Sequence, residues 1–278
     1  MRSRSLLPRM SAVIVLAKEE CREVLSGPMV YVWCSGGPLL AAFVVQTYLQ
    51  SLQGMGLAIY EDPLKYPFVL SMLVSGFYFA VWASTRIARE RESGTLEVLY
   101  WTPLDDLELA CGKILGSALA ALLCLLWTLC FFAITSWLTT LAFPLYAAPC
   151  LLSSSIFLVA MIALGTFISS VASRLRTAIA LLAVTILAFL GLQASVGFLG
   201  RLAAEQLSRP LLLMRDSANW LSTIVGVVSP FHYLTASLEA LSGGTAGVYG
   251  VTALGAVGNC AALIVACVVA LKLKGIRK

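Results

Sequence analysis

The strongest constraint on this chain is a series of six apolar stretches, each long enough to cross a lipid bilayer and nearly free of charge. They cover residues 29–48, 66–87, 114–138, 149–172, 177–199 and 248–271. A helix needs roughly 20 apolar residues to cross the hydrocarbon layer. No water is present there to pair with an open backbone, so a spanning segment is either a helix or a strand of a closed barrel. Barrel strands read as short alternating segments, whereas these runs are continuously apolar. The expected fold is an all-α membrane protein with six transmembrane helices in a single domain, residues 1–278. Hydrophobic residues make up 60% of the chain and charged ones 12%, against about a quarter charged in a soluble domain. That leaves no stretch for a sizeable soluble domain.

The net charge of +5 marks topology rather than a nucleic-acid partner, because no compact basic run is present to follow a phosphate backbone. With the N-terminus placed in the cytoplasm, only Lys65, Arg201, Arg209 and Arg215 of the 19 lysines and arginines fall outside. The positive-inside rule then predicts a multi-pass protein of the cell (plasma or inner) membrane with both termini cytoplasmic. Arg2 and Arg4 open the chain as a signal peptide would. The apolar stretch that follows is short, lacks a small-residue cleavage site and runs into Lys18-Glu19-Glu20, so it is expected to stay.

Residues 10–26 differ from the spans. Met10, Val13, Ile14, Ala17, Cys21, Val24 and Leu25 recur at helical spacing, with Lys18, Glu19, Arg22 and Glu23 opposite. This pattern predicts an amphipathic helix in the cytoplasmic interface, or one packed on other protein. Ser26-Gly27-Pro28 then turns the chain into the bilayer. The largest insert, residues 200–247, falls on the outer side. Within it, 219–228 is apolar but too short to span, and it is expected to dip into the membrane or cap the bundle. Ser229-Pro230 ends that stretch, and 231–241 reads as a short helix closed by Gly243-Gly244.

Little of the chain suggests chemistry. The eight cysteines form no CxxC pair, and they read as small packing residues rather than a metal site or disulfide framework. His232 is the single histidine and has no cluster of metal-ligating partners in the sequence, so neither a metal site nor a catalytic residue is expected. The spans hold almost no ionisable groups, which argues against an ion-coupled transporter or an intramembrane enzyme. Gln46, Ser71, Ser75, Thr185, Gln193 and Asn259 are the polar positions that remain. Bonding between helices is their expected role. Gln46, Ser71, Ser75, Gln193 and Asn259 are also candidates to line a substrate path. Gly250, Gly255 and Gly258 in the last span are expected to allow close packing.

The richest segment is the second cytoplasmic loop, Arg86 to Pro103. Charge is dense after the second span. Gly94 permits a bend, and residues 94–101 read as a short surface helix with apolar Leu96, Val98 and Leu99. Thr102 is placed to cap the next helix, with Pro103 at its first position and Asp105 three residues on. Asp105, Asp106 and Glu108 suit its positive end. A short helix held at the membrane surface suits a contact with a partner protein.

Glu90-Arg91-Glu92-Ser93-Gly94-Thr95-Leu96-Glu97-Val98-Leu99, followed by Thr102-Pro103 and Gly112-Lys113, resembles the signature of type-2 ABC exporter permeases. Two weaker segments are collinear with it. Ala17 to Val32 is similar to the family's elbow helix and entry to the first span, with a glycine between the usual serine and proline. Ser229-Pro230-Phe231-His232-Tyr233 is similar to the segment leading to the last span. The resemblance implies that 94–101 is a coupling helix. Arg89, Glu90, Arg91, Glu92, Gly94, Thr95, Leu96, Glu97, Val98 and Leu99 would then contact an ABC ATPase subunit. Arg174 and Arg176, in the turn after the fourth span, are a possible second contact. It also implies two ATPase copies and a second permease, identical or related, with surrounding membrane lipids. ATP and Mg would sit in the ATPase, because this chain carries no GxxxxGK[ST] motif and binds no cofactor of its own. The implied function is export of a hydrophobic or amphipathic substrate such as a drug, lipid or lipid-linked product. The alternative is a mechanical transmitter acting on an outer-side protein without cargo.

Overall fold

The computed structural model describes residues 6–55, 64–95, 105–139, 147–201, 209–242 and 245–274. Among them it forms nine helices and no strand: α1 (Leu6–Ser26), α2 (Pro28–Met55), α3 (Lys65–Glu92), α4 (Asp106–Thr139), α5 (Ala147–Val171), α6 (Leu175–Arg201), α7 (Arg209–Val228), α8 (Pro230–Ser242) and α9 (Ala246–Lys274). Six of these, α2 to α6 and α9, are long and apolar enough to cross a membrane.

Several helices run past the ends of their apolar stretches. α3 continues to Glu92 and α4 starts at Asp106, not near 87 and 114 as hydropathy suggests. Hydropathy ends where charge begins, but Arg86, Glu90, Arg91, Glu92, Glu108 and Lys113 are partnered within the protein and the helices carry on. The start of α4 also corrects the capping expectation, since Asp105 lies just outside the helix. Its carbonyl accepts the first helical bond, from the Leu109 N–H at 3.0 Å. Its own N–H donates to Glu108 Oε2 at 3.0 Å. Glu108 thus makes one half of a capping box at Asp105, a helix start three residues beyond the one assigned to Thr102. Thr102 and Pro103 lie outside the described residues.

α5 is the central helix, with α3, α4, α6, α8 and α9 packed around it. Its most apolar stretch is 67% buried, against 17% for α6 at the edge. Small residues make the α3–α5 contact close. A Cβ on Gly165 would strike the Ala80 carbonyl oxygen and come within 3.0 Å of Ala83 Cβ. Two helices of apolar surface gain little hydrophobic energy by leaving lipid, so such tight backbone approach is what holds them together. The same expectation for the last span holds at one position of three. Gly255 lies against the Tyr233 ring, whereas Gly250 and Gly258 have nothing within 4 Å of an added Cβ.

The reading of every cysteine as a packing residue is also corrected. Cys34 on α2 and Cys124 on α4 form a disulfide, with Cα atoms 5.7 Å apart. They are separated by 90 residues, so only the facing of the first and third spans brings them together. Cys21, Cys111, Cys130, Cys150, Cys260 and Cys267 are free.

α7 and α8 form the sharpest feature. Residues 219–228 and 230–241 meet at 94° across Ser229. Pro230 has no N–H to continue α7 and suits the first position of α8. A bend of this kind leaves carbonyls at the end of α7 without helical partners. Tyr233 Oη donates to Val227 O at 3.0 Å and Asn259 Nδ2 to Val228 O at 2.9 Å. Phe231 follows the bend and is 2% exposed. Its ring meets those of Phe77, Phe157 and Phe189, on α3, α5 and α6, with centroids 5.8, 5.8 and 6.4 Å away. The insert is therefore anchored in the interior of the bundle rather than resting on its rim.

Candidate functional site

The charged residues gather at the end of the bundle where α3 stops and α4 begins. α1 lies along α4 there. Gly112 and Gly116 are one turn apart on α4 and open a groove for it. A Cβ on Gly116 would lie 2.5 Å from Ala17 O and 2.6 Å from Glu20 Cβ, and one on Gly112 would lie 2.8 Å from Leu16. The amphipathic pattern accordingly resolves into two faces. Ala17 and Val24 are buried, while Ile14 and Val15 stay exposed.

This docking carries two carboxylates inward, and α3 and α4 meet them with cations. Arg86 Nε lies 3.0 Å from Glu20 Oε1. Arg86 also donates to both carboxylate oxygens of Glu23, with Nη1 2.6 Å from Oε1. Lys113 Nζ is 2.6 Å from Glu90 Oε1 and 3.8 Å from Glu20 Oε2. Trp82 Nε1 donates to Glu20 Oε1 at 3.3 Å, and the Arg86 guanidinium sits 5.1 Å from the Trp82 ring centroid. Three carboxylates and two cations thus tie α1, α3 and α4 together. Glu20 is 4% exposed and Lys113 6%. Glu23 lies outside the spans, and the hydrogen bond from Arg86 holds its carboxyl below the ordinary value. Nothing in the local sequence pattern points to this network. Its members are 63 or more residues apart between α1 and α3, and Lys113 reads there as one of the inside cations and as part of the family signature.

The residues expected to meet a partner are partly engaged inside the chain. Arg91 donates to Ala172 O at 2.7 Å and Ser170 O at 3.3 Å, at the end of α5. Glu92 Oε2 accepts the N–H of Leu175 at 3.1 Å, at the start of α6. Arg89, Glu92, Ser93, Gly94 and Thr95 are exposed, as are Arg174 and Arg176. The Glu92 contact therefore sets the 86–95 segment beside the Arg174–Arg176 turn on one exposed surface. Gly94 turns the chain with a φ of +74°, a conformation that favours glycine. Leu96, Glu97, Val98 and Leu99 lie outside the described residues.

The substrate-path candidates do not converge. Gln46 is exposed on α2. Ser71 and Ser75 are buried in the core, with Ser71 Oγ donating to Pro67 O at 3.1 Å. Asn259 ties α9 to the end of α7. Gln193 alone lines the larger cleft, of about 630 Å³, between α6 and the α7–α8 bend. His232, read from sequence as a structural or interfacial residue, lines the same cleft. Among the described residues no group of His, Cys, Asp and Glu is arranged to hold a metal ion.

Comparison with known families matches residues 35–274 to the ABC-2 family transporter protein. The chain belongs to this family. The match begins within α2, after α1, and takes in the rest of the first span, the other five spans and the α7–α8 bend. It identifies the chain as the multi-pass membrane component of an ABC transporter, a class that works in general with an ATPase subunit. No curated protein matches this permease.

Proposed function

We propose that the chain is the permease subunit of an exporter that moves a hydrophobic or amphipathic substrate across the cell membrane. Energy would come from ATP and Mg bound by a separate ATPase subunit, two copies of which pair with this permease and a second, identical or related one. The observation that carries the partner-facing part is the Glu92–Leu175 contact, which sets the 86–95 segment and the Arg174–Arg176 turn on one exposed surface. With the termini cytoplasmic, this surface faces the ATPase. Behind it lies the five-residue ion network, so a push on the segment after Gly94 would reach α1, α3 and α4 together. ATP can drive such a movement only by binding the two arrangements with different affinity.

The test is purification of the tagged chain from its native host in mild detergent, with the associated proteins identified. Wild type is expected to bring down a soluble ATPase that carries a GxxxxGK[ST] motif. A Gly94→Pro, Glu97→Arg variant of normal stability is expected to lose it. A stable wild type that recovers no ATPase would overturn the reading. The cleft beside α7 favours a cargo over the purely mechanical transmitter. ATP-dependent pumping by reconstituted vesicles separates the two.

A further inference from the structure

A smaller cavity lies inside the bundle between α5, α8 and α9, with room of about 10 Å³ for the centre of a water molecule. One water needs about 10–15 Å³ by that measure, so the space suits a single water and no organic ligand. Ser153 on α5, Tyr233 and Ser237 on α8, and Thr252 and Asn259 on α9 bring polar groups to its wall, beside the ring of Phe157. Ser153, Ser237 and Asn259 are 7%, 3% and 8% exposed. The hydrogen bonds around the cavity run one way. Tyr233 donates to Val227 O, Ser237 to Tyr233 O, Thr252 to Tyr249 O and Ser153 to Tyr249 Oη. Each hydroxyl has committed its one hydrogen and keeps lone pairs. Asn259 gives Nδ2 to Val228 O, which fixes the orientation of its amide. Its Oδ1 accepts no hydrogen bond among the described residues, yet it is not one of the sealed polar atoms, so it opens on space. The wall is therefore rich in acceptors and short of donors.

We propose that one ordered water molecule binds in this cavity, donating one hydrogen to Asn259 Oδ1 and the other to a hydroxyl oxygen across from it. Size and chemistry both favour water. It is the smallest molecule that offers two hydrogens, and a buried water is held where two to four polar groups converge. A buried amide oxygen left unpaired is costly, and this water removes that cost. The bridge also has a mechanical consequence. Asn259 already holds the last carbonyl of α7, so the water extends that tie from the α7–α8 bend toward Ser153 on the central helix. The placement of α8 against α5 and α9 then depends on a solvent molecule as well as on Phe231. This inference concerns the packing of the bundle and stands apart from the permease reading.

The experiment is hydroxyl-radical footprinting of the full-length chain in phosphatidylcholine nanodiscs, with X-ray pulses generating radicals from water and mass spectrometry locating the oxidised side chains. A buried ring is oxidised only where water sits beside it. Phe157 is 3% exposed and lines the cavity, whereas Phe79 and Phe132 are 0% exposed and do not. Phe157 is expected to be oxidised at least about fivefold faster than either, as a ring in contact with a bound water should be. Ala256 also lines the cavity. Ala256→Val puts two methyl groups into it and should bring Phe157 down to the rate of Phe79 and Phe132. A structure of the wild-type chain at about 2 Å keeps the test open if that variant does not fold, and it should show isolated density about 2.7–3.2 Å from Asn259 Oδ1 and from at least one hydroxyl oxygen. A Phe157 rate no higher than that of Phe79, a rate unchanged in a folded valine variant, or density that is a lipid chain or a bare cation at distances shorter than a hydrogen bond would each overturn the proposal. None of these outcomes depends on recovery of an ATPase, so failure here leaves the permease reading standing.

Discussion

The two ends of the bundle are held by different physics. At one end, Glu20, Glu23, Arg86, Glu90 and Lys113 lock α1, α3 and α4 with ionic contacts, three of these residues being no more than 12% exposed. At the other, α7 and α8 are held by the buried Phe231 ring and by single neutral hydrogen bonds to Val227 and Val228. Partly buried ion pairs are intolerant of displacement, because separating them leaves charge without a partner. Aromatic packing and isolated hydrogen bonds allow smaller adjustments at lower cost. The first end is tied together as one body, and the second leaves a cleft.

The largest expected effect tests the first half of that contrast. Lys113→Met leaves Glu20 and Glu90 short of a cation and should lower stability by about 3–5 kcal/mol, read as loss of the folded fraction in a detergent melt. Adding Glu90→Gln should recover part of the loss, and no recovery would mean that the pair is not coupled. Gly116→Leu should cost about 3 kcal/mol, the upper end for overpacking, since its Cβ meets the Ala17 backbone. Limited proteolysis should then cut at α1 first while the region around Phe231 stays protected. At the opposite end, Asn259→Leu should cost about 1–3 kcal/mol by leaving Val228 O unpaired. A cost equal to that of Lys113→Met would erase the proposed difference between the ends.

Two smaller effects sharpen the picture. Gly94→Ala should cost about 1 kcal/mol, because the strain at φ +74° is the only penalty and an added Cβ meets nothing within 4 Å. Glu23 gives a pH signature. Its folded pKa lies below the ordinary 4.5, chiefly through the hydrogen bond from Arg86. Its stabilisation is therefore present above about pH 4.5 and lost as pH falls through the folded value. Glu23 is 49% exposed, so the contribution should stay below about 1 kcal/mol. Glu23→Gln should lower the melting temperature slightly at neutral pH, where that contribution is lost, and match wild type below the folded pKa, which flattens the acid limb.

Much of the architecture was legible before any coordinates. The six spans, the helix over the N-terminal amphipathic stretch, the break at Ser229-Pro230 and the family all follow from local pattern. The site was legible only in part. Glu92 and Arg174 could be named as surface residues, but not the fact that Glu92 accepts the Leu175 N–H between them. Gln46, Ser71, Ser75, Gln193 and Asn259 looked alike as isolated polar residues in apolar runs. The fold gives them different surroundings, and only Gln193 reaches the larger cleft.

The sequence by itself determined what depends on solvent and on neighbours a few residues away. Apolar length decided which segments suit a bilayer, because in lipid each helix satisfies its own backbone. Proline and glycine decided where helices end. Tertiary structure decided everything that depends on which face of one helix meets which face of another. It placed Cys34 against Cys124 and Glu20 between Arg86 and Lys113, and it left the Ser229 hydroxyl without a partner at the bend. Hydropathy carries no information about rotation around a helix axis when a span is apolar on all sides, and those contacts are set by that rotation.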